Sequence, residues 1–358
     1  MKRYSVSQLE EQSKIILRAM GSSEADSVII SNVLIAAELR GISSHGMIRL
    51  RDYYGLWSAG RLNTAPKITI KHEAPGTALL DGDNSLGMLS GVKAMRLAIE
   101  KAAQCGTGWV SVSNSNHYGI AGYYSMMALS EDMIGISMTN ANPLVSPTFS
   151  TSRMMGTNPI AVAIPASEEP PFVADFATTP IARGKLDIMA SQGKSVPHGF
   201  VQDSVGIPSN DPSVITRGGS IVPLGSDYEH GSHKGYCLGA IVDIFSALLS
   251  GAGFGPFVMP QVSYLTPKEG AKALGHFFGA MRIDAFRPAE AFKSDMDHWI
   301  RTFRGATVAE GYDEVLIPGD PERRNTIINQ QKGILLLETA KEAIRGICKE
   351  QSLKFILQ

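Results

Sequence analysis

The apolar residues of this chain keep a helical spacing at its two ends and a strand spacing in between. Few architectures accommodate that order. Residues 5–40 read as a helical hairpin. Ser5 and Gln8 match a capping box, and Leu9, Ile15, Ile16 and Met20 recur at helical spacing up to a stop at Gly21. Ser23 with Asp26 opens a second helix, which carries Val28, Ile29, Val33, Leu34 and Ala37 to a stop near Gly41. A third helix is expected from the serines at 43–44 to about Gly60. Strands are expected over 67–72, 77–81, 108–113, 134–140, 158–165 and 171–176, with helices over 87–103 and 119–130. Residues 193–232 are rich in Gly, Ser, Pro and Asp and read as a long loop. A buried helix is expected over 236–250, a strand over 274–286, and helices over 289–304 and 334–348.

This order predicts an α+β protein whose two ends pack together. Residues 1–75 with 305–358 form a helical domain, and residues 76–304 form a strand-rich region. At 358 residues the chain exceeds one typical core. It is 44% apolar and 19% charged, which marks a folded protein and not a disordered one. A formal net charge of -1 provides no basic footprint for nucleic acid or acidic lipid. Cys105, Cys237 and Cys348 stand far apart, so neither a disulfide framework nor a cysteine metal site is expected. The first residues lack the apolar run of a signal peptide, and the longest apolar stretch, interrupted by Asp243, is too short to span a membrane. The expectation is a cytoplasmic protein.

Several segments carry usable chemistry. His45, Arg49 and Tyr53 stand at i, i+4 and i+8. On a helix begun at the serines they would share one stripe near its positive end. Arginine offers a fork for a carboxylate, and histidine transfers protons near neutrality. The competing reading is an ordinary polar helix face. Ser113-Asn114-Ser115-Asn116-His117-Tyr118-Gly119 is a polar run between a strand and a helix, where catalytic side chains are often displayed. His117 is either a second acid/base group or a hydrogen-bonded cap. Asp175-Phe176-Ala177-Thr178-Thr179 ends a strand ahead of a helix from Ile181. Its amides and hydroxyls suit a phosphate, and Asp175 suits a ribose hydroxyl, although a plain cap has the same composition. Lys234 opens the apolar helix, and a cation at that end is easier to explain if it meets an anion. His230 and His233 lack a third ligand at matching spacing, so no metal site is expected.

The dinucleotide fingerprint fails. In Gly251-Ala252-Gly253-Phe254-Gly255 the last glycine comes one residue early, a helix precedes it, and Pro256-Phe257-Val258-Met259 starts none. Any bound nucleotide must sit outside a Rossmann frame.

Taken together, these segments resemble the malate/L-lactate dehydrogenase family that lacks a Rossmann domain. Its members include sulfolactate and ureidoglycolate dehydrogenases, diketogulonate reductase and piperideine-2-carboxylate reductase. The resemblance covers nearly the whole chain. Its carriers are Ser44-His45-Gly46 with Arg49 and Tyr53, Ser115–Gly119, Gly156-Thr157-Asn158-Pro159, Asp175–Thr178, Arg183-Gly184-Lys185, Lys234-Gly235-Tyr236 and Pro318–Glu322. One stretch departs: many relatives carry a Gly-Gly pair where residues 148–153 read Thr-Phe-Ser-Thr-Ser-Arg.

The resemblance implies NAD- or NADP-dependent interconversion of a 2-hydroxy acid and a 2-oxo acid by a homodimer. It also implies a non-Rossmann cofactor domain built on a mixed or antiparallel sheet. Arg49 would hold the substrate carboxylate, with Ser44 and Tyr53 nearby. His45 and His117 are the two candidates for the proton. Asp175, Phe176, Ala177, Thr178, Thr179 and Lys234 would contact the cofactor. Two rival readings remain: a reductase of cyclic imine carboxylates, and a non-catalytic dimeric carboxylate-binding protein.

Overall fold

The computed structural model describes residues 2–358, apart from the side chain of Ser191. Its ten helices among the described residues are α1 (Val6–Ala19), α2 (Glu24–Leu39), α3 (Leu50–Ser58), α4 (Gly87–Cys105), α5 (Ala121–Met126), α6 (Arg183–Ser191), α7 (Ser232–Asp243), α8 (Ala289–Arg304), α9 (Asp320–Lys332) and α10 (Glu338–Glu350). Seven strands form the main sheet: β1 (Thr69–Ala74), β2 (Thr77–Ser85), β3 (Thr107–Ser115), β4 (Met133–Thr139), β5 (Ile160–Ile164), β6 (Phe172–Phe176) and β7 (Leu274–Arg282). Their order is β1-β2-β3-β7-β4-β5-β6. Only β2 and β3 pair in parallel, joined through α4; every other pairing is antiparallel. This is a mixed sheet without the βαβ repeats of a Rossmann fold.

Three cores hold the molecule. In the first, Leu9, Ile16, Leu17, Ile30 and Leu34 of the opening hairpin meet Leu50 and Leu56 of α3 and Ile344 and Ile347 of α10. The two chain ends are tied by a short antiparallel pairing of Arg3–Tyr4 with Ile334–Leu335. The second core packs Met95 and Ala98 of α4 and Tyr124 of α5 on Leu80, Val110, Val112 and Phe278 of the sheet. The third is a small satellite around Val145, Met155, Leu186, Val201 and Ile221. The hairpin follows its sequence signals closely. Ser5 and Gln8 exchange capping-box bonds, and the Ser23 hydroxyl caps Asp26. The expected boundary at residue 75 falls in the turn between β1 and β2, which pair with each other.

Four expectations need correction. No single helix runs from Ser43 to Gly60. Two short 3-10 turns, Ser43–His45 and Met47–Arg49, precede α3, because the extended backbone of Gly46 (φ -92°, ψ -140°) separates them. The region 193–232 is not a bare loop: strand pairs at Val201–Gln202, Pro208–Ser209 and Ser220–Ile221 and a 3-10 helix at Pro212–Arg217 close it over the third core. A helix at Asp320–Lys332, whose hydrophobic residues are sparse, escaped the periodicity reading. The apolar helix after Lys234 is buried on one side only. Gly235, Gly239 and Val242 face inward, while Leu238, Ile241, Ile244, Phe245, Leu248 and Leu249 are exposed. Composition alone suggests burial, but it does not distinguish a core from an uncovered apolar face.

The departing loop keeps an unusual backbone. Phe149 has φ 66°, a left-handed conformation that costs a non-glycine residue about 1–2 kcal/mol. Its exposed ring leans on Tyr228, with centroids 5.1 Å apart.

Strand β7 runs through the centre of the sheet and buries His276 completely. Its Nδ1 lies 2.7 Å from the Thr139 hydroxyl, its Nε2 2.8 Å from the Ser115 hydroxyl, and its ring stacks on Tyr118. Burial pushes the imidazole down to about 3, only partly opposed by a backbone bond with Asn116. A folded-state value below the unfolded one means that the unfolded chain binds the extra proton. Stability from His276 is therefore complete above about pH 6.5 and is lost as pH falls from there towards 3. His276→Gln should flatten the acid side of the stability curve by roughly 1.4 kcal/mol per pH unit below 6.5. Denaturant titrations at pH 5 to 7 check this, and an unchanged slope would refute it.

Candidate active site

The site forms where the helical core meets the C-terminal end of β3. Asn116 anchors that strand end: its amide donates to the Asn84 and Ser85 carbonyls from a fully buried position. The His117 backbone N–H donates to Gln261 Oε1 at 2.9 Å. Gly119 then turns the chain with φ 83°, at a point where a Cβ would press to 2.6 Å on Val33. Glycine is needed there on both counts. From the other side, the two 3-10 turns and α3 bring in Ser44, His45, Arg49 and Tyr53.

These residues converge. Tyr53 Oη lies 2.8 Å from His117 Nδ1, and the Gly119 N–H points at the same nitrogen from 3.3 Å. The backbone amide can only donate, so Nδ1 is the acceptor and the neutral ring carries its proton on Nε2. The His45 ring stacks on His117 with centroids 5.5 Å apart, and its Nδ1 contacts the Ser44 hydroxyl at 2.9 Å. Arg49 is fixed by Nε donating to the Ser44 carbonyl at 2.7 Å and Nη1 donating to Asp52 at 2.9 Å. Its Nη2 makes no hydrogen bond among the described residues and faces Gly184 of α6. The cleft measures about 220 Å³ and also takes in Thr139, Asn140, Thr157, Arg183 and Gln261.

Burial sets the protonation states. It pushes His45 down to about 3, with the Arg49 cation adding to the effect. His117 is held well below its ordinary value by burial first, then by Arg49 and His45. The Tyr53 phenol is pushed up by burial, so it stays protonated and remains a donor. A neutral pair of histidines beside one cation is poised for an anion. Once a carboxylate offsets Arg49, part of what keeps the imidazoles deprotonated disappears.

The stripe inferred from sequence is thus assembled, although not on one helix. The cofactor group is more dispersed. Asp175 lies on edge strand β6 and accepts from the Gly122 N–H at 2.8 Å; burial raises its carboxyl to about 6 despite Gly122 and nearby Arg40. Phe176 is exposed, and Ala177 follows it on the way to the cleft wall. Thr178 is buried behind that wall, donating to the Thr157 and Asn158 carbonyls, and Thr179 donates to the Ile181 carbonyl. Helix α7 packs on Thr178 through Gly239, with Lys234 exposed and unpaired in its first turn. Sequence reading missed Gln261, Asp52 and Glu38. Gln261 is 144 positions from His117, and no local pattern joins them.

This arrangement defines a small cleft with an open guanidinium edge beside two neutral imidazoles, equipment suited to a hydroxyacid oxidoreductase. Comparison with known proteins agrees. The family model for malate/L-lactate dehydrogenase matches residues 4–345. The chain is 42% identical over 325 residues to malate dehydrogenase of Pyrococcus abyssi, covering 90% of this chain and 85% of the relative. It is 36% identical over 347 residues to L-sulfolactate dehydrogenase of Methanocaldococcus jannaschii, covering 96% of each. The solved structure of malate dehydrogenase from Pyrococcus horikoshii OT3 superposes with TM-score 0.90 at 35% identity, over 99% of this chain and 97% of that one. The chain belongs to the malate/L-lactate dehydrogenase family, and it is a hydroxyacid dehydrogenase, a class that works with a nicotinamide cofactor.

Tyr53→Phe removes one of the two groups that hold His117 Nδ1, leaving only the Gly119 N–H, and keeps the aromatic ring in the core. The expected outcome is a loss of about tenfold or more in kcat, with KM nearly unchanged and the melting temperature kept. Steady-state kinetics with thermal denaturation checks it; wild-type kcat would remove the phenol from the mechanism.

Proposed function

We propose that the protein interconverts a 2-hydroxy acid and a 2-oxo acid with NAD or NADP, and that its substrate carries a second anionic group, as malate does. The observation that carries this reading is the free Nη2 of Arg49, which opens into a small cleft beside His45 and His117. Arg51 and Arg183 line the same cleft; each is paired through Nε, with Asp52 and Asp187, which leaves the Nη atoms for a second anion. The malate and sulfolactate dehydrogenases among the relatives support the same substrate class.

His117 is the better proton carrier of the two histidines. Its Nδ1 is occupied by two donors, which leaves Nε2 for the substrate oxygen. When the ring takes a second proton, the Tyr53 hydroxyl can turn from donor to acceptor and follow it. In reduction the doubly protonated ring gives its Nε2 proton to the developing alkoxide and is left neutral with its remaining proton on Nδ1, held by the Tyr53 oxygen; oxidation reverses the step, and Nε2 of that Nδ1–H form takes the hydroxyl proton. His45 and Ser44 pack the other side and limit where the substrate lies. Arg49 holds the 2-carboxylate and sets which face of C2 is presented.

The cofactor supplies the hydride when bound. The residues present fit such a group. Lys234 is a cation at a helix start, where the dipole disfavours it, and it has no partner among the described residues. The neighbouring His233 Nδ1 and the Arg40 Nε and Nη2 are buried without hydrogen bonds. Lys234 and the segment Asp175–Thr179 would hold the dinucleotide, with no glycine-rich fingerprint required. The exposed apolar face of α7 and the π-helical turn Ile244–Leu248 that continues it supports a homodimer through this surface.

A panel of 2-oxo acids with NADH and NADPH in parallel tests the activity. Oxaloacetate should be reduced faster than pyruvate; absence of turnover on every 2-oxo acid overturns the reading. Arg49→Lys should lower kcat/KM by a factor equivalent to about 1–3 kcal/mol of transition-state stabilisation, because the planar fork is lost. Leu248→Asp with Leu249→Asp should convert the dimer to a monomer in analytical ultracentrifugation. A monomeric parent protein would exclude the assembly.

A further inference from the structure

A carboxylate lies behind the cleft, and none of the chemistry above uses it. Glu38 is in the last turn of α2 and is 1% exposed. Its Oε1 accepts the Met47 backbone N–H at 2.8 Å, and its Oε2 accepts the Ser43 hydroxyl at 2.7 Å. These donors stand immediately on either side of Ser44-His45-Gly46. The intervening chain lies directly on the carboxyl group: a Cβ at Gly46 would overlap it. Only glycine permits that approach.

Apart from those two hydrogen bonds, little about this placement favours a charge. Among the described residues no Lys, Arg or His pairs with Glu38, and the end of a helix that exposes carbonyls disfavours an anion. Burial pushes its carboxyl up to about 7, against the pull of Ser43 and Met47. A glutamine here would avoid the desolvation. Its NH2 could meet the Ser43 oxygen only by reversing that bond, which leaves the hydroxyl proton to find another acceptor. The acid is thus locally unfavourable for stability and uniquely able to accept on both oxygens.

We propose that Glu38 is the positioning residue of the catalytic segment, its two oxygens clamping Ser43 and Met47 so that Ser44, His45 and Arg49 face His117. The clamp acts through the backbone. Ser44 supplies the carbonyl that orients Arg49 and the hydroxyl that contacts His45, so one carboxylate sets both walls of the cleft. The kinetic arm of the test rests on the hydroxyacid dehydrogenase reading; the structural arm stands without it.

Glu38→Gln separates this role from a merely structural one, because the two predict opposite signs. At pH 8 the variant should melt higher by roughly 2 °C or more, since a buried unpaired charge is gone. Its kcat should fall about 10-fold or more, with the KM for the nicotinamide cofactor within about twofold of the parent. Amide exchange over residues 43–49 should rise about tenfold, while α1 is unchanged. Ser43→Ala, which removes one of the two bonds, should show the same exchange pattern with a smaller kinetic loss. Parallel loss of melting temperature and activity in Glu38→Gln would overturn the proposal, as would wild-type kcat with unchanged exchange at 43–49. If the parent protein turns over no 2-oxo acid, the functional reading fails, and the exchange and melting arms still decide the clamp.

Discussion

The hydrogen bond between the Tyr53 hydroxyl and His117 Nδ1 joins the two halves of this molecule at the point where its chemistry is assembled. Tyr53 belongs to the helical core, and His117 to the end of a strand in the sheet. Neither half contains a site alone. The arginine, serine and first histidine arrive on the helical side; the second histidine, Gln261 and the asparagine-rich strand end arrive with the sheet. The short pairing of the first residues with Ile334–Leu335, and the packing of α10 on α3, hold the helical half together. Docking the two cores therefore fixes the distances that matter.

Electrostatics follows from the same docking. Closing the helical core over the strand end removes water from two histidines and a tyrosine at once. The imidazoles are kept neutral, the phenol is kept protonated, and one guanidinium edge of Arg49 is left open beside them. That state is expensive for an empty protein and suited to a carboxylate ligand, whose charge offsets Arg49. Glu38 extends the pattern to the layer behind the site, where an unpaired acid is tolerated at a helix end because two donors of the catalytic segment need it.

Much of this was legible along the chain. The opening hairpin, with its caps, was read residue by residue, because capping and 3.6-residue spacing are local effects. The convergence of Ser44, His45, Arg49, Tyr53 and His117 was also anticipated, by residue type together with family resemblance. The route to it was misread. A continuous helix was expected, but the extended backbone of Gly46 breaks it, and the reason is tertiary: the chain must lie flat on the Glu38 carboxyl. The apolar helix beginning near Lys234 was read as buried, since composition reports only that a face avoids water and not what covers it. Gln261 left no local signal, as its contact with His117 spans 144 residues.

The sequence by itself determined the element types at the two ends, the absence of a Rossmann frame, and the residues able to bind a carboxylate and move a proton. These depend on short-range periodicity and on side-chain chemistry. The tertiary structure alone decided which nitrogen of His117 faces the cleft, which edge of Arg49 remains free, and how Glu38 governs a segment five to nine residues away. Such properties depend on burial and on the direction of individual hydrogen bonds, and both come into existence only when the helical core closes on the sheet.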